Sequence, residues 1–208
     1  MPGPFAFLAS VSAFFIIFRQ TSPHGPGSNC DTENLMTLDL LRLFLFPALM
    51  AFAAASDLLT MTISNRVSIL LAAGFFLLAV LSGMSTQDIL LHCAAGVLVL
   101  VMGFACFAFG WIGGGDAKVA AGAALWLGFP HLLEYLLYAS LFGGVLTLVL
   151  LQIRQWPLPY ALANQAWLLR LHHKDTGIPY GIALAAGALM VYPGTFWIKA
   201  VDLSALMP

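Results

Sequence analysis

Apolar segments of near membrane-spanning length dominate the sequence, and they limit what the chain can fold into. A helix needs roughly 20 apolar residues to cross the hydrocarbon core of a bilayer, and about 17 to 25 are tolerated. Six segments reach or approach that length: Leu40–Ser56, Val67–Leu81, Ile89–Phe109, Ala117–Phe129, Leu132–Ile153 and Ile178–Ile198. The sequence therefore predicts an all-α, polytopic membrane protein with about six transmembrane helices.

The composition supports this prediction. The 208 residues are 61% hydrophobic and only 8% charged, whereas soluble domains carry about 25% charged residues. The net charge of -1 and the lack of a basic stripe argue against a nucleic-acid partner, so the lipid bilayer is the expected environment. The three cysteines, Cys30, Cys93 and Cys106, lack the close spacing of zinc or redox motifs, and we expect no metal and no cofactor.

The first 35 residues differ from the rest of the chain. Their apolar stretch, Phe5–Phe18, is too short for a span, and it lacks the basic start of a secretory signal. A polar stretch rich in proline and glycine follows, from Arg19 to Asn34. We expect residues 1–35 to be a disordered extension or the product of an upstream start codon, with Met36 as the native start. Residues 36–208 are then the membrane domain.

The fourth apolar segment, Ala117–Phe129, is short and rich in alanine. Small residues let helix backbones approach closely inside a membrane. We therefore expect this helix to be surrounded by other helices rather than by lipid. Asp116, directly before it, is expected at the rim of the bundle interior.

Two aspartates stand at the ends of predicted spans in a chain that otherwise avoids charge. Asp57 follows the first apolar segment, and Asp116 follows the glycine run Gly113, Gly114 and Gly115. An ionisable group at membrane depth is costly and is a functional candidate for that reason. Taken singly, each aspartate is equally well explained as a helix cap or as a solvated group near the interface. Together they predict a catalytic pair on one side of the bilayer.

Two carboxylates within hydrogen-bond reach of each other have a specific chemistry. They share one proton and titrate as a unit. One can take a proton from water while the other donates to a peptide carbonyl, as in aspartic proteases. The N-terminus of the fourth helix favours the ionised form of Asp116, which makes Asp57 the expected proton holder. The run Gly113–Gly115 either lets an extended substrate backbone approach Asp116 or forms only a hinge.

Three motifs resemble those of the type IV prepilin peptidases, a family of membrane aspartic proteases. The run Gly113–Lys118 (GGGDAK) matches the GxGD signature of that family. The run Asp57–Arg66 (DLLTMTISNR) matches the first-aspartate motif, in which an aspartate precedes Ile-Pro-Asn by six residues. The run Gly177–Gly181 (GIPYG) resembles the Pro-x-Gly element that opens the last helix of the family. The likeness covers residues 36–198, and the short form is most similar to the tight-adherence (Flp-type) pilus branch.

This resemblance implies an aspartic endopeptidase that removes the leader from prepilins or pseudopilins. It implies a multi-pass protein of the bacterial inner membrane, with its active site facing the cytoplasm. The implied catalytic residues are Asp57 and Asp116. Beside the three glycines, the implied substrate-binding residues are Asn65, Pro179 and Gly181.

Two departures from the family pattern bear on specificity. Ser64 stands where the family has proline, and serine sets a turn more weakly than proline does. Leu58, Thr60 and Met61 stand where basic residues are common. The 208 residues also contain no CxxC pairs like those of the methyltransferase domain in bifunctional members. We therefore expect cleavage without methylation.

A non-enzymatic function stays open as the alternative. A small transporter or a pilus-assembly subunit could bind protons or ions with the same two aspartates. Transporters more often show inverted repeats or ionisable residues in mid-span, and the sequence shows neither. The segment Arg154–Gly177 also has two interpretations: a connector anchored by aromatic residues, or an interfacial helix that acts as a flap over a substrate groove.

The distribution of lysine and arginine predicts the orientation in the membrane, because both concentrate in cytoplasmic loops. Arg66, Lys118 and the segment Arg154–Gly177 fall on one side of the six predicted spans. The opposite loops, Ser82–Asp88 and Gly128–His131, contain neither residue type. Two basic residues lie near the opposite ends of helices: Arg42 and Lys199.

Cysteine labelling tests this orientation. Cysteines introduced beside Arg66, Lys118 and Lys174 should react only from the cytoplasm, and cysteines within residues 82–88 should react only from outside. Labelling of the two aspartate loops from opposite faces would contradict a shared site.

Overall fold

The computed structural model of the chain describes residues 29–156, 165–173 and 176–201. By its contacts the chain divides into two compact units, residues 1–34 and 35–208. Nearly all of the first unit, and with it the expected N-terminal extension, lies outside the described residues. The second unit contains both aspartates.

Helices joined by short connections make up the described residues. The helices are α1 (Asn29–Thr60), α2 (Asn65–Leu81), α3 (Thr86–Ala108), α4 (Gly114–Ile153), α5 (Ala166–His172), α6 (Tyr180–Val191) and α7 (Phe196–Lys199), with a 3₁₀ turn at Tyr192–Gly194. Within the described ranges, the stretches long and apolar enough to cross a membrane are Met36–Thr60, Thr86–Ala108, Gly114–Ile153 and Tyr180–Lys199. Helix α2 is apolar but shorter. The predicted all-α, polytopic fold is confirmed.

The helices do not correspond one to one to the six predicted spans, because the fourth and fifth predicted spans form a single helix, α4. A straight helix of its 40 residues would be about 60 Å long, twice the roughly 30 Å of the hydrocarbon core. Gly128 interrupts α4 with φ 67° and ψ 176°, a conformation open almost only to glycine. The first half of α4 (residues 114–127) and the second half (residues 129–153) therefore correspond to two of the predicted segments.

Side chains from other helices satisfy the backbone where α4 breaks. Pro130 has no N–H, so the carbonyl of Trp126 loses its usual partner four residues on. The indole Nε1–H of Trp197 donates to that carbonyl at 2.8 Å. His92 donates from Nδ1 to the carbonyl of Leu125 at 2.7 Å. Because an unpaired carbonyl in hydrocarbon costs several kcal/mol, these two bonds stabilise the break inside the membrane.

The first half of α4 is enclosed by its neighbours, as its small residues predicted. Residues 121–127 are all buried. A Cβ on Gly103 of α3 would lie 3.0 Å from the Ala117 Cβ, and a Cβ on Gly122 would lie 2.9 Å from the Leu71 side chain of α2. The backbones thus approach closely through residues without bulk, and α4 is held between α2 and α3.

Arg42 lies towards the opposite end of α1 from Asp57 and is buried. Its guanidinium donates to the Asp39 carboxylate at 2.9 Å, to Ser82 Oγ at 3.2 Å and to the Ala200 carbonyl at 3.3 Å. The ends of α2 and α7 are tied to α1 in this way. A buried and paired arginine is part of the packing, so it does not weigh against the predicted orientation.

Gly128→Ala should destabilise the protein. Alanine rarely adopts a φ of 67°, and its Cβ would lie 2.8 Å from the His92 ring. Backbone strain of this kind costs about 1–3 kcal/mol, and displacement of His92 would free the Leu125 carbonyl as well. The melting temperature of the purified protein in detergent should therefore fall by several degrees.

Gly144→Ala is the matched control for this measurement. Gly144 lies in the second half of α4, and no atom lies within 4 Å of the place that its Cβ would take. Alanine in a helix interior is more favourable than glycine by about 0.5–1 kcal/mol, so this variant should be at least as stable as the wild type. Equal melting temperatures for Gly128→Ala and the wild type would refute this account of the break.

Candidate active site

Asp57 lies in the last turn of α1, where the helix ends in a left-handed residue. Met61 has φ 54°, and its N–H donates to the Asp57 carbonyl at 2.8 Å, which is the αL pattern of helix C-termini. This conformation costs a non-glycine residue roughly 1–2 kcal/mol. The Ser56 hydroxyl donates to the Thr62 carbonyl at 3.1 Å and holds the chain as it turns. The first-aspartate motif is therefore an ordered turn.

The Asp57 carboxylate caps a second helix. The residue is only 5% exposed, and its Oδ2 accepts a hydrogen bond from the backbone N–H of Gly181 at 2.7 Å. Gly181 lies in the first turn of α6, whose N-cap is Pro179, so the carboxylate satisfies an N–H group that the helix leaves unpaired. A Cβ at residue 181 would lie 2.8 Å from this Oδ2. Glycine thus allows α1 and α6 to approach closely here.

Asp116 occupies the third position of α4, after the glycine run. Gly113 is the N-cap, and Gly114 and Gly115 are the first two helical residues. The Asp116 carboxylate turns back towards the backbone N–H of Gly113, as the acidic side chain of a capping box does. None of these three glycines has a positive φ. Their contribution is close approach rather than left-handed backbone.

The two aspartate motifs contact each other. A Cβ on Gly115 would lie 3.2 Å from the Ile63 Cβ, so the glycine run packs directly on the turn after α1. Lys118 Nζ donates to Asn65 Oδ1 at 2.8 Å and joins α4 to the start of α2. The carboxylates of the two motifs are close enough to interact electrostatically. The structure thus brings together two groups that are far apart in the sequence.

Ser64 makes the turn that a proline makes in the family motif. It is the N-cap of α2, with φ -64° and ψ 139°, and its Oγ accepts a hydrogen bond from the Arg66 N–H at 3.3 Å. A serine cap satisfies one of the free N–H groups at the start of a helix. The substitution therefore keeps the helix start, and Asn65 becomes the first helical residue.

The other predicted site residues take different places around the carboxylates. Gly181 bonds directly to Asp57, and Pro179 sets the start of the helix that contains it. Of the glycine run, Gly113 lies against the Asp116 carboxylate and Gly115 packs on Ile63. Asn65 is exposed, and its side chain is engaged by Lys118, so in this structure it links the two motifs. The GGGDAK run contains Lys118, but no local pattern in the sequence predicts that it binds Asn65.

Both aspartates lie at a helix N-terminus in the structure, whereas the sequence suggested this for one of them. The sequence predicts a helix N-terminus at Asp116 alone, and for that reason it predicts Asp57 as the proton holder. Asp57 also lies at a helix N-terminus, that of α6. A helix N-terminus provides positive partial charge to a carboxylate, and here each of the two aspartates has one.

A further connection to the site comes from α5. Arg170 Nη1 lies 3.2 Å from the Thr60 carbonyl oxygen, at the C-terminal end of α1, where unpaired carbonyls carry partial negative charge. Arg154 is buried, and its guanidinium donates to the Gly177 carbonyl at 2.9 Å. This bond holds the residues that lead into α6. Residues 157–164 and 174–175 of this segment lie outside the described residues, and the flap remains a prediction.

The arrangement supports acid–base chemistry by two carboxylates. Each carboxylate lies at a helix N-terminus and accepts a hydrogen bond from a backbone N–H, Asp57 from Gly181 and Asp116 from Gly113. Such a pair can hold one proton, activate a water molecule and protonate a leaving group. In the described ranges, no group of three or more His, Cys, Asp or Glu residues is placed to hold a metal ion.

A comparison with protein-family models matches residues 44–148 to the type IV leader peptidase family. This range is just over half of the chain, and it includes both aspartates and the motifs around them. The chain belongs to the type IV leader peptidase family. No curated protein and no solved structure matches it. The matched range ends before Pro179 and Gly181. The contact between Asp57 and α6 in this leader peptidase therefore comes from the structure and not from the family match.

Gly181→Ala should reduce peptidase activity while leaving membrane insertion intact. The new Cβ would lie 2.8 Å from Asp57 Oδ2 and 2.9 Å from the Asp57 Cβ, so the carboxylate must move. Misplacement of a catalytic group by about 1 Å can cost roughly 100-fold in rate. The measurement is the rate of leader cleavage per inserted molecule.

Gly177→Ala provides the control in the same connection. No atom lies within 4 Å of the position that its Cβ would take, and its carbonyl bond to Arg154 does not involve a side chain of residue 177. This variant should cleave at the wild-type rate. If Gly181→Ala also cleaves at that rate, the contact with α6 does not position Asp57.

Proposed function

We propose that the protein is a membrane aspartic endopeptidase that removes the leader from type IV prepilins or pseudopilins, with Flp-type prepilins as its substrates. The observation that carries this proposal is the meeting of Asp57 and Asp116, which two separate motifs contribute at helix ends. Family membership supports a leader peptidase in general. The carboxylate pair supports the aspartic mechanism.

One shared proton is enough for hydrolysis by this pair. The ionised carboxylate takes a proton from water, and the water oxygen attacks the scissile carbonyl carbon. The protonated carboxylate gives its proton to the carbonyl oxygen, so a neutral gem-diol forms. In the second step the C–N bond breaks: the first carboxyl protonates the leaving nitrogen, and the second carboxylate takes a proton from a hydroxyl. Both aspartates then return to their starting states.

The substrate is proposed to lie at the open side of the site. Gly113 and Asn65 are exposed and Gly115 is half-buried, so an extended peptide can lie along this edge with its carbonyl towards Asp116. Pro179 and Gly181 are both buried and support the site from behind Asp57. In this proposal the edge faces the cytoplasm at a bacterial inner membrane, and the distribution of lysine and arginine supports the cytoplasmic side.

The position of the aspartates favours hydrolysis over ion transport. Transporters typically bind coupling ions near the bilayer midplane, in broken helices. Asp57 lies in the last turn of α1 and Asp116 in the first turn of α4, beside the exposed pair Asn65 and Lys118. The break in α4 at Gly128 lies away from both carboxylates, and its freed carbonyls are already bonded.

Asp57→Asn and Asp116→Asn should each abolish processing of a co-expressed Flp-type prepilin. Asparagine keeps the shape of the side chain but cannot exchange the proton, and loss of acid–base catalysis costs roughly 100- to 10,000-fold. Leader removal is followed as a mobility shift on a gel, normalised to the inserted enzyme.

Asp88→Asn is the matched control. Asp88 is exposed in the first turn of α3, and its carboxylate accepts a hydrogen bond from the Ser85 hydroxyl at 2.7 Å. Its replacement should leave processing unchanged. Normal processing by either Asp57→Asn or Asp116→Asn would rule out the aspartic mechanism. A wild-type protein that leaves several Flp-type prepilins uncut would rule out the proposed substrate.

A further inference from the structure

Tyr135 carries a buried hydroxyl without a hydrogen-bond partner among the described residues. The residue lies in the second half of α4 and is 0% exposed, and its hydroxyl oxygen contacts no donor or acceptor in that part of the chain. Burying an unpaired hydroxyl is unfavourable, and a phenylalanine would fill the same space without that cost. The hydroxyl therefore needs an explanation other than packing.

Other buried or half-buried aromatic side chains in this bundle do have polar partners. Tyr192 donates its hydroxyl to the Arg42 carbonyl, and the Tyr180 hydroxyl lies 3.2 Å from Thr147 Oγ1. Trp126 Nε1 donates to the Leu71 carbonyl at 2.8 Å. These polar groups on aromatic side chains are thus paired, whereas the Tyr135 hydroxyl has no partner among the described residues.

The break at Gly128 brings this hydroxyl to the candidate site. In a straight helix, Tyr135 and Asp116 would be separated by about 28 Å along the axis. Because α4 folds back, the Tyr135 hydroxyl lies close enough to the Asp116 carboxylate to interact with it electrostatically. An unused hydrogen-bond donor is thus within electrostatic range of the Asp116 carboxylate.

We propose that Tyr135 is a positioning residue that orients Asp116 for catalysis by donating its hydroxyl hydrogen to the carboxylate. In this structure the Asp116 carboxylate turns back towards the Gly113 N–H, at the end of its own helix. When the Asp116 side chain rotates away from Gly113, its carboxylate gives up the Gly113 N–H and accepts a hydrogen bond from the Tyr135 hydroxyl instead. The hydroxyl then holds the carboxylate towards Asp57 and the peptide. This inference rests on the proposed aspartic mechanism.

Kinetics of Tyr135→Phe test the inference, with purified enzyme in detergent and a titrated Flp-type prepilin. Phenylalanine keeps the buried ring, so the melting temperature should not fall. A hydrogen bond to a charged group is worth roughly 10- to 100-fold, and we expect kcat to fall by about that factor with KM unchanged. A structural role would instead lower the melting temperature and leave kcat per folded molecule unchanged.

Two further tyrosine variants are controls for this measurement. Tyr138→Phe, one turn further along α4, should change neither kcat nor the melting temperature, since Tyr138 is half-buried and stacks on Phe142 with ring centroids 6.1 Å apart. Tyr192→Phe removes the bond to Arg42 and should lower the melting temperature with little effect on kcat.

Each outcome bears on a separate claim. A wild-type kcat for Tyr135→Phe would overturn the positioning role, and so would a kcat loss matched by Tyr138→Phe. In either case the aspartate mechanism would stand, provided that the wild type cleaves and Asp116→Asn does not. An inactive wild type would overturn the proposed function and this inference together.

Discussion

The break in α4 is the constraint on which the rest of the structure depends. Inside hydrocarbon a backbone carbonyl needs a donor, and the break at Gly128 and Pro130 leaves the carbonyls of Leu125 and Trp126 to be bonded by side chains. Trp197 and His92 supply the donors from two other helices. These bonds tie α3 and α7 to α4 and let its second half run back beside the first. As a result, the Tyr135 hydroxyl comes within electrostatic range of Asp116, and α6 packs against α4 with its N-terminus at Asp57.

Three helix ends meet at the candidate site: the C-terminus of α1 and the N-termini of α4 and α6. Helix ends carry unpaired backbone groups, and in a membrane protein these ends are where charged side chains find partners. Asp57 takes an N–H from α6, and Arg170 approaches the carbonyls of α1. Glycine at 115 and 181 removes a Cβ where the ends come closest. The polar groups that the helices leave unpaired thus help to hold the carboxylates.

Three features around this site are unfavourable to stability. Met61 has a left-handed backbone, Asp57 is a buried carboxylate, and Tyr135 has a buried hydroxyl without a partner among the described residues. Each of these features lowers stability when taken alone. Natural proteins typically tolerate such violations where function requires them. Met61 and Asp57 belong to the same turn, and the Tyr135 hydroxyl is within electrostatic range of Asp116.

The sequence alone determined the membrane class, the all-α fold and the buried alanine-rich helix, because these follow from hydrophobic length and side-chain size, which are local properties. It also singled out Asp57 and Asp116, because charge is rare in this chain. Only the tertiary structure decided that Asp57 caps α6, that Lys118 holds Asn65 and that the Tyr135 hydroxyl comes within electrostatic range of Asp116. These pairs of residues are from 19 to 124 positions apart in the sequence. No local pattern encodes them, because they depend on where Gly128 turns the chain and on which carbonyls the other helices must satisfy.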